Sequence, residues 1–164
     1  MEYNSFLEKK RIVFKSTGVT VDDVVINPVL FPFQRDLTKW ALRKGRAAIF
    51  ADTGTGKTPM QVEWARLTGE KTLIVAPLTV ARQTVREAKK LLDADVQYVR
   101  SMAEVENDIV ITNYEMVEHF DPTSFGAVVL DESSILKGLT SIYRKKLTEM
   151  FADTPYKLCC TATP

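Results

Sequence analysis

Short apolar runs alternate with longer stretches of mixed polar and apolar residues along most of the chain. The runs are nearly continuous in apolar character, which is typical of parallel strands that are buried on both faces. The mixed stretches repeat apolar residues at helical spacing, which predicts helices. The predicted strands cover residues 47–50, 72–76, 96–99, 108–112, 127–130 and 157–160. The predicted helices cover residues 33–43, 80–92, 115–120 and 141–151, together with one that begins at Thr58.

Strands that alternate with helical crossovers predict an α/β fold, with a mostly parallel central sheet covered by helices on both faces. The chain of 164 residues, 45% of them hydrophobic, has room for one such domain. We expect residues 31–164 to form this domain and residues 1–30 to form an irregular cover on its core. Cys159 and Cys160 are adjacent in a predicted strand, so we expect them to be reduced and buried.

Charge and hydropathy narrow the class of protein. The chain has 22 basic and 21 acidic residues, so any site for a polyanion must be local. The apolar runs are of strand length, and the N-terminus lacks the build of a signal peptide. We therefore expect a soluble, cytoplasmic protein that does not contact membranes. The single histidine, His119, and the adjacent cysteines do not have the spacing of zinc ligands, so no zinc site is expected.

The strongest chemical motif is Ala-Asp-Thr-Gly-Thr-Gly-Lys-Thr at residues 51–58, between a predicted strand and a predicted helix. Its glycines permit backbone conformations in which successive N–H groups point at a phosphate, and the helix that follows adds its N-terminal N–H groups. Lys57 would reach the β- and γ-phosphates of ATP, and the Thr58 hydroxyl would bind Mg²⁺. A plain Gly-Thr turn is the alternative, but it leaves the Lys-Thr pair unexplained. The predicted nucleotide-binding residues of this loop are Thr53, Gly54, Thr55, Gly56, Lys57 and Thr58.

The apolar run 127–130 ends in two carboxylates, Asp131 and Glu132. In an open α/β sheet the ligand crevice lies at the carboxyl ends of the strands, so this tip would face the glycine-rich loop. Asp131 would hold the Mg²⁺, directly or through water, and Glu132 would orient and polarise the water that attacks the γ-phosphate. A strand that ends in an ordinary charged turn is the alternative. The predicted catalytic residues are Lys57, Asp131 and Glu132, and the predicted Mg²⁺ ligands are Thr58 and Asp131.

Six segments, taken in order and with their spacing, resemble the motifs of superfamily 2 helicases, and most of all those of Snf2-like DNA translocases, including phage-type members. The resemblance implies a RecA-like, three-layer phosphate-loop domain, the first of two in a motor. The glycine-rich loop follows the family pattern except at its first position, where Ala51 replaces the glycine. The segments are Phe33-Gln34-Arg35-Asp36, residues 51–58, Val75-Ala76-Pro77-Leu78-Thr79, Ile111-Thr112-Asn113-Tyr114-Glu115, Asp131-Glu132-Ser133-Ser134 and Thr161-Ala162-Thr163-Pro164.

The resemblance also implies roles for residues outside the loop. Gln34 would read the adenine through its amide, and Phe31 or Phe33 would stack on the base unless they are packed in the core. Thr161 and Thr163 would couple the γ-phosphate site to nucleic acid. For the nucleic-acid contacts, plain strand-to-helix caps are the alternative, and capping alone explains Thr79. The residues that would touch nucleic acid are Pro77, Leu78, Thr79, Thr112, Asn113, Tyr114 and Lys137, the last of which is otherwise a solvated loop lysine.

The resemblance leaves three functions open. A Snf2-like ATPase motor on duplex DNA is favoured over a strand-separating DEAD/DEAH-type DNA or RNA helicase, because Ser133 and Ser134 replace the ionisable end of the acidic motif. A nucleotide-dependent interaction module without turnover is the third. In the family a second RecA-like domain supplies an arginine finger. We expect that domain to lie outside this chain, and the domain by itself to be nearly inactive.

Overall fold

The computed structural model describes residues 15–135 and 141–163, in which six parallel strands form one sheet in the order β1-β6-β5-β2-β4-β3. The predicted fold class is confirmed, and every strand pair is parallel. The strands are β1 (Arg46–Phe50), β2 (Thr72–Ala76), β3 (Gln97–Tyr98), β4 (Ile109–Asn113), β5 (Ala127–Leu130) and β6 (Tyr156–Thr161). The α-helices are α1 (Pro32–Lys44), α2 (Lys57–Thr68), α3 (Leu78–Leu92) and α4 (Ser141–Met150).

Four short 3-10 helices complete the described elements: Asp23–Val25, Met102–Glu104, Tyr114–His119 and Pro122–Ser124. The segment predicted as a helix over residues 115–120 is therefore a 3-10 helix that begins one residue earlier. No helix among the described residues is long and apolar enough to cross a membrane.

The two faces of the sheet carry separate clusters of buried side chains. On one face α1, α2 and α3 pack against alternate strand residues such as Ile74 and Val129. On the other face the remaining residues of the same strands, such as Leu73 and Val128, pack against the 3-10 helix Tyr114–His119 and against α4. The alternation follows from the period of two along a strand. The central strands β2 and β5 are thus covered on both faces, which explains why they are nearly continuous in apolar character.

The described part of the N-terminal segment is anchored on α2 by a charged pair. Glu63, which is buried, accepts hydrogen bonds from both ends of the Arg66 guanidinium at 2.7 and 2.9 Å and from the backbone N–H of Asn27 at 2.7 Å. Arg66 also donates to the carbonyl oxygen of Val25 at 2.7 Å. Hydrogen bonding to Glu63 raises the pKa of Arg66. The segment that leads into α1 is therefore held by the helix that follows the glycine-rich loop.

Candidate nucleotide-binding site

The order of the strands brings three strand ends together. β6 lies between β1 and β5, with Phe50 in register with Thr161 and Leu130 in register with Cys159. The backbone N–H of Ala51 bonds to the carbonyl oxygen of Thr161 at 3.1 Å, which carries the pairing into the start of the glycine-rich loop. All strands are parallel, so the loop after β1, the acidic pair after β5 and the end of β6 share one edge of the sheet.

The glycine-rich loop depends on left-handed backbone at two positions. Gly54 and Gly56 have φ of 79° and 78°, which residues with a Cβ rarely adopt. Gly56 is also the residue that immediately precedes α2, and a Cβ there would lie 2.3 Å from Nε2 of Gln34. A larger residue at position 56 would therefore strain the backbone and displace the Gln34 side chain from the loop.

Lys57 is folded into the loop that it follows. Its Nζ donates to the carbonyl oxygens of Ala51 at 2.9 Å and Asp52 at 3.1 Å, and the Thr55 hydroxyl donates to the same Asp52 oxygen at 2.7 Å. The ammonium thus lies inside the curve of the loop, at the start of α2. A phosphate in this position would accept hydrogen bonds that the loop carbonyls now receive.

The Gln34 side chain is buried and both of its polar atoms are bonded within the chain. Oε1 accepts from the backbone N–H of Phe31 at 2.8 Å, which caps the start of α1, and Nε2 donates to the carbonyl oxygen of Thr55 at 2.8 Å. The amide therefore ties α1 to the glycine-rich loop. It lies at the site as predicted, and each of its polar atoms keeps the capacity for one further hydrogen bond.

A cavity of about 690 Å³ adjoins the loop on the side of α1 and α3, with Phe31 and Phe33 on its wall. The two rings are stacked, with centroids 6.3 Å apart and planes 9° apart. Phe31 is 65% exposed and Phe33 is 48% exposed, so the alternative that they pack in the core is wrong for both. A stacked, exposed aromatic pair beside the glycine-rich loop is suited to contact with a flat base.

Asp131 is buried at the end of β5, and two groups donate to one of its oxygens. Nε2 of Gln61 lies 2.6 Å from Oδ1, and the backbone N–H of Glu132 lies 2.9 Å from the same atom. Burial raises the pKa of Asp131, while these hydrogen bonds and the charge of Lys57 act in the opposite direction. Gln61 lies on the helix that begins at Lys57, so this helix contacts Asp131 directly and the fold brings the two predicted catalytic residues to the same edge of the sheet.

Glu132 has a left-handed backbone with φ of 50°, which is rare for a residue with a side chain and is found at strained functional turns. Its Oε1 accepts from the Ser134 hydroxyl at 2.6 Å and from the Thr161 hydroxyl at 3.0 Å. The backbone N–H of Thr163 donates to the Thr161 hydroxyl at 3.0 Å. The end of β6 is thus hydrogen-bonded to the acidic pair at the end of β5.

The residues predicted to touch nucleic acid fall into two groups. Pro77, Leu78 and Thr79 lie at the exposed start of α3, where Pro77 precedes the helix. The expectation that Thr79 caps this helix is wrong, because α3 begins at Leu78 and Thr79 is already inside its first turn. Lys137 lies outside the described residues.

The second group, Thr112, Asn113 and Tyr114, is buried at the end of β4. Asn113 accepts from the Tyr98 hydroxyl at 2.8 Å and donates to the Glu115 carboxylate. The Tyr114 hydroxyl donates to the carbonyl oxygen of Asp131 at 2.9 Å. The structure thus joins this segment to the acidic pair, a contact that the sequence pattern did not predict.

The donors available at the site match magnesium rather than a softer metal. Thr58 supplies a hydroxyl oxygen at the start of α2, and Asp131 supplies a carboxylate oxygen at the end of β5. Mg²⁺ prefers hard oxygen ligands and is usually held by one or two protein groups together with substrate phosphates. The two side chains therefore fit a metal that arrives with a nucleotide.

Asp131→Asn is expected to raise the thermal unfolding midpoint of the ligand-free protein at mildly alkaline pH. Because burial raises the pKa of Asp131, the folded state binds the proton of this carboxyl group more tightly than the unfolded state does. The stability of the wild type therefore falls as pH rises through the raised pKa. An asparagine oxygen can still accept from Gln61 and Glu132. Thermal unfolding followed by circular dichroism should show the gap between variant and wild type narrowing towards acidic pH.

Asp121→Asn provides the control of opposite sign. Hydrogen bonds from Thr123 lower the pKa of Asp121, so its charge favours the folded state and its removal should not raise the midpoint. An Asp131→Asn variant that is less stable than wild type at mildly alkaline pH would contradict the prediction.

Comparisons with known proteins show the family of this chain. A family model described as DEAD/DEAH box helicase matches residues 31–164. Among curated proteins, none gives a significant match. The resemblance to helicases that the ordered motifs indicated is confirmed.

Solved structures of helicases and a related ATPase share the fold. The Sulfolobus solfataricus SWI2/SNF2 ATPase core in complex with dsDNA has a TM-score of 0.69 at 17% identity, covering 94% of this chain and 34% of that one. The UvsW helicase from Bacteriophage T4 has a TM-score of 0.67 at 16% identity, covering 98% of this chain and 60% of that one. A hypothetical ATP-dependent RNA helicase from Sulfolobus tokodaii has a TM-score of 0.58 at 19% identity, covering 98% of this chain and 49% of that one.

This chain spans about a third of the length of the SWI2/SNF2 core and three-fifths of that of UvsW. At these identities the likeness establishes the fold. Because the family model covers most of the residues, the chain belongs to the DEAD/DEAH box helicase family and is a helicase-type ATP-binding domain of superfamily 2.

Proposed function

We propose that this chain is the ATP-binding motor domain of a DNA-dependent ATPase of the Snf2-like type, and that it hydrolyses ATP to ADP and phosphate when a second RecA-like domain completes the site. The observation that carries the proposal is the convergence of Lys57 and Asp131 at one edge of the sheet, where the helix that begins at Lys57 bonds to Asp131 through Gln61 at 2.6 Å. Two opposite charges beside the start of α2 are the arrangement that a metal-bound triphosphate requires.

Each polar group at this edge has a role in the proposal. The N–H groups of residues 53–58 would surround the β-phosphate, and Lys57 would leave the loop carbonyls to bond the β- and γ-phosphates. Thr58 and Asp131 would hold Mg²⁺, which would neutralise charge on the phosphates. Glu132 would accept a hydrogen bond from the attacking water and orient it towards the γ-phosphate.

The hydrogen bond from Thr161 to Glu132 supports a coupling role for the end of β6. A hydroxyl that is bonded to the water-orienting carboxylate can change the position of that carboxylate when β6 moves. Thr163 would follow, because its N–H is bonded to the same hydroxyl. We propose that this path carries the state of the nucleic acid to the site of hydrolysis.

The exposed start of α3 is the favoured contact for nucleic acid. Pro77, Leu78 and Thr79 surround the unpaired N–H groups of the first helical turn, which bind phosphate without reading sequence. Thr112, Asn113 and Tyr114 are buried, so in the proposal they support the neighbouring surface and the acidic pair. Duplex DNA is the proposed partner, since the set of motifs is most similar to that of duplex translocases.

Lys57→Ala is expected to abolish Mg-ATP binding measured by isothermal titration calorimetry. The ammonium makes charge-assisted hydrogen bonds, each worth roughly 1.5–3 kcal/mol, and no other lysine lies in the loop. Lys89→Ala is the matched control, because Lys89 is exposed on α3 and pairs with Asp93 at 2.8 Å. If Lys57→Ala binds Mg-ATP with the affinity of the wild type, the proposed site is wrong.

Phe31→Ala and Phe33→Ala are expected to weaken binding of ATP while leaving binding of inorganic triphosphate unchanged. Stacking of a base on an aromatic ring contributes roughly 1–3 kcal/mol, or about a 5- to 150-fold change in affinity. Phe50→Ala is the matched control, since Phe50 is exposed to the same 65% as Phe31 and lies on β1. Equal loss for both ligands would show that the rings support the loop instead of holding the base.

ATP hydrolysis should be very slow for this chain alone, because an arginine finger accelerates P-loop enzymes by roughly three to five orders of magnitude. With a second RecA-like domain joined to it, duplex DNA is expected to stimulate turnover more than single-stranded DNA or RNA. Phosphate release measured with each activator tests this. Preference for RNA or for single strands would instead favour a strand-separating helicase, and nucleotide binding without any turnover would favour an interaction module.

A further inference from the structure

Gln61 is a buried polar residue that none of the motifs includes. It lies in α2 four residues after Lys57, so both side chains are on the same side of the helix. The side chain is 0% exposed, and its Nε2 makes the 2.6 Å hydrogen bond to Oδ1 of Asp131. The helix that begins at the glycine-rich loop is thereby joined directly to the acidic tip of β5.

The geometry of this contact determines the orientation of the Asp131 carboxylate. The terminal torsion of an aspartate is broad, so an unrestrained carboxylate can rotate. Here the Gln61 amide and the Glu132 N–H both donate to Oδ1, at 2.6 and 2.9 Å. With one oxygen held by two donors, the plane of the carboxylate is defined and Oδ2 is the oxygen left to face a cation.

A role in packing alone does not account for Gln61. Its Oε1 is buried and has no hydrogen-bond partner among the described residues, which costs free energy that an apolar side chain of the same length would avoid. Its other polar neighbour is the Cys160 thiol, whose pKa burial raises to about 12 while a hydrogen bond with Gln61 acts in the opposite direction, so the amide lies between the Asp131 carboxylate and a neutral thiol. Among the described residues, the bond to Asp131 is the contact of this amide with a charged group.

We propose that Gln61 is a positioning residue that presents Oδ2 of Asp131 to the magnesium of a bound nucleotide. The inference rests on the proposed function, because it assumes that Asp131 holds the metal. Gln61 does not touch the nucleotide in this proposal. It acts on the affinity for the metal through Asp131, as partners of metal ligands generally do.

The test is Gln61→Met, which keeps the length of the side chain and removes the amide. Calorimetry would measure the affinity for ATP with Mg²⁺ and with EDTA, and electron paramagnetic resonance would measure the affinity of the ADP complex for Mn²⁺. We expect Mn²⁺ affinity to fall about 10- to 100-fold, the usual effect of removing a partner of a metal ligand. The affinity for ATP in EDTA should stay within about twofold of wild type, since the glycine-rich loop is intact.

Thr84→Val is the matched control, because Thr84 is also buried and its Oγ1 has no hydrogen-bond partner among the described residues, but it lies on α3. It should leave both affinities unchanged. Gln61→Leu replaces Gln61→Met if the latter does not fold, and failure of both to fold would overturn the inference by showing a structural role.

The outcomes separate this inference from the proposed function. A wild-type chain whose ATP affinity does not depend on Mg²⁺ would contradict the proposed function itself. If the ATP affinity of the wild-type chain depends on Mg²⁺ but Gln61→Met binds Mn²⁺ as tightly as wild type does, only the proposed role of Gln61 would be overturned. Equal losses in Gln61→Met and Thr84→Val would overturn it as well.

Discussion

The candidate site is built around a carboxylate that lies where burial disfavours its charge. Asp131 is only 6% exposed, and burial raises its pKa. An isolated buried charge is unstable unless it is paired or hydrogen-bonded. Gln61, the Glu132 N–H and the nearby Lys57 all favour its charged form. Two parts of the fold therefore converge on this one carboxylate: α2, which carries Lys57 and Gln61, and the turn after β5, which carries Glu132.

Much of this arrangement could be predicted from local patterns. The bounds of β2 and β5 are those predicted from the apolar runs, because a strand buried on both faces has a continuous apolar signature. The position of the glycine-rich loop between strand and helix could be read from residues 51–58 directly. The shared edge of the sheet then followed from parallel strands, whose carboxyl ends always lie on the same side.

Contacts between distant residues could not be predicted in the same way. Gln61 and Asp131 are 70 positions apart, and nothing in either local pattern indicates the hydrogen bond between them. The Tyr114 hydroxyl reaches the Asp131 carbonyl oxygen for the same reason, through pairing of β4 and β5 with β2. The exposure of Phe31 was also not predictable, because an apolar residue in a sequence looks the same whether it is buried or presented to a ligand.

The charged anchor between Glu63 and the N-terminal segment has a consequence for how the pocket adjusts to its ligand. α2 starts at the glycine-rich loop, and about two turns later its residues Glu63 and Arg66 bond to the backbone of the segment that leads to Phe31. If the proposed function is right, this helix sets the distance between the groups that would hold the phosphates and the base of a nucleotide. Closure of a second domain would then change the surface that covers the ligand, while the length of the cleft stayed the same.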